Sequence, residues 1–274
     1  MTLNSIISIA SHKGGVGKTM VTLNLGVTLA RAGHNVLLID GDPQGNLSMS
    51  IGMKKMSASG LYQVLQQKAE LKDVVVKANK LPLSMIHLGI DAPLDLFNLS
   101  HGAQNKQLKK LKHLIQSLAN NFDITLIDTA NNIGSLNAIL LSCSDSVIIP
   151  VTCKNNSFRS LPLLLKLLIR IRDRLNNKLS LLGLILPMFD VNNPYEREVL
   201  TTLREALPEG AFFSTFIPFT SLVEKAEKKE FPISFLPGAE ELKKTYDKFS
   251  CEVIQRLEHN MKGDDDDDYP EKIF

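Results

Sequence analysis

Residues 13–19 read Lys13-Gly14-Gly15-Val16-Gly17-Lys18-Thr19, a short run that combines glycines with two lysines and a hydroxyl. Those residue types at that spacing suit the holding of a polyphosphate. Glycines let the backbone curl so that successive N–H groups point inward at phosphate oxygens. A lysine at position 18 can reach the β- and γ-phosphates, and the Thr19 hydroxyl can ligate Mg²⁺. Carboxylates stand where a metal-assisted displacement needs them. Apolar Val36–Ile39 runs into Asp40-Gly41-Asp42-Pro43-Gln44-Gly45-Asn46, and apolar Ile124–Ile127 runs into Asp128. One such carboxylate can hold Mg²⁺ through water, and another can orient or deprotonate an attacking water. An aspartate at a strand end is often only a cap or turn former. Asp128 therefore takes its meaning from the glycine-rich loop.

The elements around these residues are those that a phosphate site requires. Ile6–Ala10 reads as a strand, Ser11–Gly17 as the turn, and Val21, Leu25 and Leu29 have helical spacing from Lys18 onward. A helix N-terminus at the loop adds partial positive charge there. Along the chain, apolar runs at 5–10, 35–40, 83–89, 123–128, 145–151, 180–188 and 211–217 are the expected strands. The expected helices are 18–32, 59–68, 103–120, 134–143, 157–175, 194–206 and 238–260. Strands without polar alternation are buried on both faces, which predicts a doubly wound α/β fold, a mostly parallel sheet flanked by helices. In such a sheet ligands bind beyond the carboxyl ends of the strands, where Asp40 and Asp128 can converge on the loop. The expected organisation is one domain over 1–262 and an acidic, disordered tail over 263–274.

Bulk composition agrees. Hydrophobic residues at 44% and charged residues at 22% describe a soluble globular chain. No signal sequence or membrane-length apolar stretch is visible, so the expected compartment is the cytoplasm. Cys143, Cys153 and Cys251 form no CxxC pair and read as reduced, buried thiols. The net charge of +2 hides an asymmetry: Asp264 to Asp268 and Glu271 against Lys272 put −5 on the tail and leave +7 on the rest. A basic body permits nucleic-acid contact.

Three stretches, Lys13 to Thr19, Leu37 to Asn46 and Asp123 to Asp128, resemble the ParA/MinD ATPases, and among these the ParA (Soj-like) partition proteins. The resemblance covers the chain to about residue 260 and implies a P-loop NTPase using ATP and Mg²⁺. It also implies that Lys13 reaches across a two-fold interface to the partner's phosphates, so that ATP is sandwiched in a homodimer. Lys13, Lys18 and Asp42 are then the catalytic set, with Asp42 orienting water. Thr19, Asp40 and Asp128 serve the metal, and Lys13, Gly14, Gly15, Val16, Gly17, Lys18, Thr19 and Met20 hold phosphate. Pro187, Met188, Pro218 and Phe219 are expected near the adenine. The implied activity is slow hydrolysis stimulated by a ParB-like partner, in a nucleoid-associated protein if double-stranded DNA is bound.

Several positions depart from that pattern. Met20 stands where a second Thr is usual. Thr129-Ala130-Asn131-Asn132 replaces an Asp-x-Pro-Pro continuation. Lys154-Asn155-Asn156 lies where the family tends to be acidic and aromatic, and Val191-Asn192-Asn193-Pro194 lacks the usual arginine, the nearest being Arg197. Basic clusters remain at Lys166, Arg170, Arg172, Arg174 and Lys178, and at Lys225, Lys228, Lys229, Lys243, Lys244 and Lys248. Two alternatives to a DNA-positioning ATPase follow. One is a nucleotide-gated protein that acts through a protein partner without DNA. The other is a MinD-like membrane ATPase, which the acidic tail disfavours because anionic lipid would repel it.

Overall fold

The computed structural model describes residues 3–50, 59–77, 82–90, 106–131, 134–154, 160–229 and 231–262. In order along the chain come β1 (Ser5–Ile9), α1 (Lys18–Arg31), β2 (Val36–Gly41), α2 (Asn46–Met49), α3 (Leu61–Leu65) and α4 (Leu71–Val74). Then follow β3 (Val76–Lys77), β4 (Leu83–His87), α5 (Lys106–Ala119), β5 (Ile124–Thr129), α6 (Ser135–Ser142), β6 (Ser146–Pro150) and α7 (Leu161–Arg174). The chain continues through β7 (Ser180–Ile185), α8 (Pro194–Ala206), α9 (Leu222–Lys229), a 3₁₀ turn (Ile233–Phe235) and α10 (Glu240–Lys262).

The strands form one seven-stranded sheet in the order β3-β4-β2-β5-β1-β6-β7. Every pairing is parallel except the short edge pair β3–β4. Alternation along each strand divides its side chains between two cores. Val36 and Leu38 of β2, Ile7 and Ile9 of β1 and Leu126 of β5 face a core completed by α1 and by Tyr246, Phe249 and Val253 of α10. Leu37, Ile39 and Ile127 face the opposite core with α3, α5 and α6. Val147 and Ile149 of β6 lie under α7 and α8. This two-faced burial explains why the strands lack polar alternation. It also places the ends of β1, β2 and β5 side by side, with Asp128 in register with Ile9 on one side and Asp40 on the other.

Local signals set the helix bounds. Asn193 caps α8 by accepting from the N–H groups of Tyr195 and Glu196, and Pro194 supplies the helical φ of the first turn. The expected helix at 59–68 forms only over Leu61–Leu65, because Gln67 turns left-handed at φ 60°. The expected strand at 211–217 does not form. It meets β7 at the isolated bridge between Leu184 and Phe212, and the stretch just after β7 where the Ile217 N–H donates to the Leu186 carbonyl at 2.9 Å, while between these points the N–H groups of Ser214 and Thr215 donate to the Glu252 carboxylate at 2.7 and 3.1 Å. A side chain on α10 has taken the donors that a ladder would use.

Cys143 and Cys153 are buried as expected, but Cys251 is exposed, on the solvent side of α10. The beginnings of the expected helices at 103–120 and 157–175, residues Asn132, Asn155 and Asn156, and the tail at 263–274 lie outside the described residues. Among the described residues no helix is long and apolar enough to cross a membrane.

Candidate nucleotide site

The glycine-rich loop leaves the end of β1 and closes on α1. Gly15 and Gly17 take left-handed conformations at φ 71° and 86°, and Gly17 is the residue that opens α1. A Cβ on Gly17 would lie 3.3 Å from both the Met20 methyl and the Pro187 ring, a tight fit, and the left-handed conformation is what favours glycine there. No side chain caps α1, which leaves its first N–H groups directed at the loop. Lys18 is buried at 6% exposure. Burial pushes its ammonium below the usual lysine range, opposed by the charges of Asp128 and Asp42. Its Nζ donates to the Oδ1 of Asn131.

On the acidic side, the Thr19 hydroxyl donates to Asp128 Oδ2 at 2.7 Å, and Thr22 lies 3.5 Å from Oδ1. Burial pushes the Asp128 carboxyl up to about 7; Asp40 and Asp42 add to the shift, while Thr19 and Lys18 oppose it. Asp40 is also raised by burial, against donors supplied by its own loop. Ser48 gives Asp40 Oδ2 both its N–H at 2.9 Å and its hydroxyl at 2.7 Å, and the Asp42 N–H reaches Oδ1 at 3.3 Å. Asp40 thus ties the start of α2 to the end of β2 and holds the turn that carries Asp42. Asp42 accepts the Gln44 N–H at 2.9 Å and is itself half-buried.

These groups border a cleft of about 520 Å³ lined by Gly15, Gly17, Lys18, Thr19, Met20, Asp42, Asn131 and Met188, among others. Of the expected phosphate residues, Gly15, Gly17, Lys18, Thr19 and Met20 line this cleft together with Asp42, whereas Lys13, Gly14 and the buried Val16 do not. Asp128 joins through Thr19, and Asp40 supports the wall. Pro187 packs against Gly17, whereas Pro218 and Phe219 do not line the cleft; Phe219 N–H bonds the Phe189 carbonyl, and its ring lies under the Lys154 ammonium at 4.2 Å. At the head of the loop Lys13 is half-buried and Gly14 and Gly15 are exposed.

Sequence reasoning missed several lining residues. Leu23 and Asn24 of α1, Val223 and Ala226 of α9, and Phe231 and Ile233 beyond it form the far wall. The Lys-rich composition of 222–229 concealed an apolar helix face, although Val223 and Ala226 at i and i+3 carried the signal. Among the described residues no group of three or more His, Cys, Asp or Glu could hold a metal unaided. A Thr hydroxyl beside a carboxylate suits instead an ion that keeps waters and takes phosphate oxygens, as Mg²⁺ does.

A parallel sheet with a glycine-rich loop between β1 and α1, and acidic strand ends beside it, is the P-loop NTPase fold. Residues 4–181 match the AAA domain family. The chain is 30% identical over 254 residues to the chromosome partitioning protein ParA of Caulobacter vibrioides, covering 92% of this chain and 94% of that one. It is likewise 30% identical to the sporulation initiation inhibitor protein Soj of Bacillus subtilis, over 84% of this chain and 90% of the other. Among solved structures it is similar to the cobyrinic acid a,c-diamide synthase of Mycobacterium smegmatis with a bound ATP analogue and magnesium. That likeness has TM-score 0.74 and 24% identity, and covers 93% of this chain and 96% of the other. The chain belongs to the ParA/MinD superfamily of P-loop ATPases, close to ParA and Soj.

Proposed function

We propose that this protein is an ATP-gated positioning ATPase: Mg²⁺-ATP dimerises it, the dimer holds double-stranded DNA through phosphate contacts, and slow hydrolysis stimulated by a ParB-like partner releases it. The observation that carries this reading is the meeting of Lys18, Thr19 and Asp42 in one cleft. Lys18 and the loop N–H groups bind the phosphates and orient them. Thr19 and Asp128, with Asp40 nearby, would hold the metal, which when bound supplies charge neutralisation on the β- and γ-phosphates. Asp42 orients the attacking water. Lys13, on a loop head that faces solvent, completes the partner's site and makes dimerisation depend on nucleotide.

Sedimentation with ATP and with ADP tests the reading. Asp42→Ala should trap an ATP dimer, and Lys13→Ala should bind ATP as a monomer. A monomer in every nucleotide, Asp42→Ala included, would end the proposal.

A second reading, a nucleotide-gated protein that acts on a protein partner without DNA, is favoured by the loop before α8. There Asn193 is spent as a helix cap and an exposed Asn192 stands where the related proteins often carry arginine. Gel shifts on random duplex DNA with ATP at rising salt separate the two. The expected compartment in either case is the cytoplasm.

A further inference from the structure

Asn131 lines the cleft between Lys18 and the first glycines of the loop. Its Oδ1 accepts from the Lys18 ammonium, and its Nδ2 lies over Gly14, 3.3 Å from where a Cβ on that residue would stand. The carboxamide thus spans the loop from its first glycine to its buried lysine. An ammonium has donors and no acceptor, so the orientation with oxygen toward Lys18 is the one its chemistry allows. Lys18 is buried, and this bond gives its charge a partner. Asn131 itself is on an exposed turn just past β5, and nothing but its side chain reaches the loop in the contacts named above.

We propose that Asn131 is a built-in competitor for the phosphate seat, so that it holds down the affinity of nucleotides that carry a β-phosphate. The inference rests on the phosphate-site reading above. A nucleotide must displace the carboxamide before its β- and γ-phosphates can reach Lys18. Its apparent affinity falls by the fraction of molecules in which the seat is open. AMP, lacking the phosphates that Lys18 contacts, gains little from an open seat.

Titration calorimetry with AMP, ADP and ATP on the full chain decides the matter. Asn131→Ala should bind ADP and ATP roughly tenfold tighter than the wild type, with AMP unchanged. Asn131→Asp, which gives Lys18 a charged partner, should bind both at least about tenfold more weakly. Asn131→Ala binding ADP and ATP no better than the wild type, or a gain shared equally by AMP, would overturn the competitor. If Lys18→Ala abolishes binding while Asn131→Ala changes nothing, the competitor fails and the phosphate site stands. If the wild type and Asn131→Ala bind none of the three, the phosphate-site reading fails and takes this one with it.

Discussion

Asp128 is the residue whose environment departs furthest from water among the site carboxylates. Unfolded, it ionises near pH 4, as any aspartate does; folded, burial holds it at about 7. Between those values the folded state keeps a proton that the unfolded state has lost. The contribution to stability is therefore complete below about pH 4 and lost as pH rises through about 7. The nucleotide-free protein should melt roughly 5 °C lower at pH 8 than at pH 5 from this group, and Asp128→Asn should flatten that slope. An unchanged slope in the variant would mean that Lys18 and Thr19 already hold Asp128 ionised. Asp42 predicts differently because it is half-buried and outside the Thr19 pair. Asp42→Ala should leave ATP affinity within about threefold and lower turnover by at least about a hundredfold, measured by phosphate release under saturating ATP.

Elements decide whether these residues meet, and here the sequence was uneven as a guide. Lys13 to Thr19 and the strand-end aspartates were legible because loop chemistry and two-faced apolar runs are local signals. The late part of the chain was not. Residues 211–217 are apolar enough for a strand, but α10 outcompetes the ladder there, and a contact across 38 residues leaves no local trace. The same helix is anchored by Arg256, whose guanidinium donates to the carbonyls of Leu182, Gly210 and Phe212 and lies 4.3 Å over the Phe213 ring. Close approach is possible because position 183 is glycine: a Cβ there would be 2.6 Å from Arg256 Nη1. Arg256→Ala leaves those carbonyls without their charged donor and should cost about 3 kcal/mol in urea unfolding. Gly183→Ala should act in the same direction by displacing the guanidinium. A loss below about 1 kcal/mol for Arg256→Ala would show that water replaces it.

For the whole molecule the question is what the proposed dimer would hold, and charge distribution frames the answer. The helix α9 turns Val223 and Ala226 to the nucleotide cleft and exposes Lys225, Lys228 and Lys229. Lys244 and Lys248 are exposed on the following helix, α10. A basic surface built on the wall of the nucleotide cleft can couple ligand to charge with no longer path. Two copies of the α9 lysines facing duplex DNA would neutralise about six phosphates, so affinity should fall about a thousandfold between 50 and 200 mM salt. The double substitution Lys228→Glu with Lys229→Glu should then abolish retention of random duplex DNA at moderate salt and leave the ATP dimer intact by sedimentation. DNA retained unchanged by that variant would move the contact to Lys166, Arg170 and Arg174 on α7. No retention by the wild type with ATP at any salt would leave the protein-partner reading in possession of the same switch.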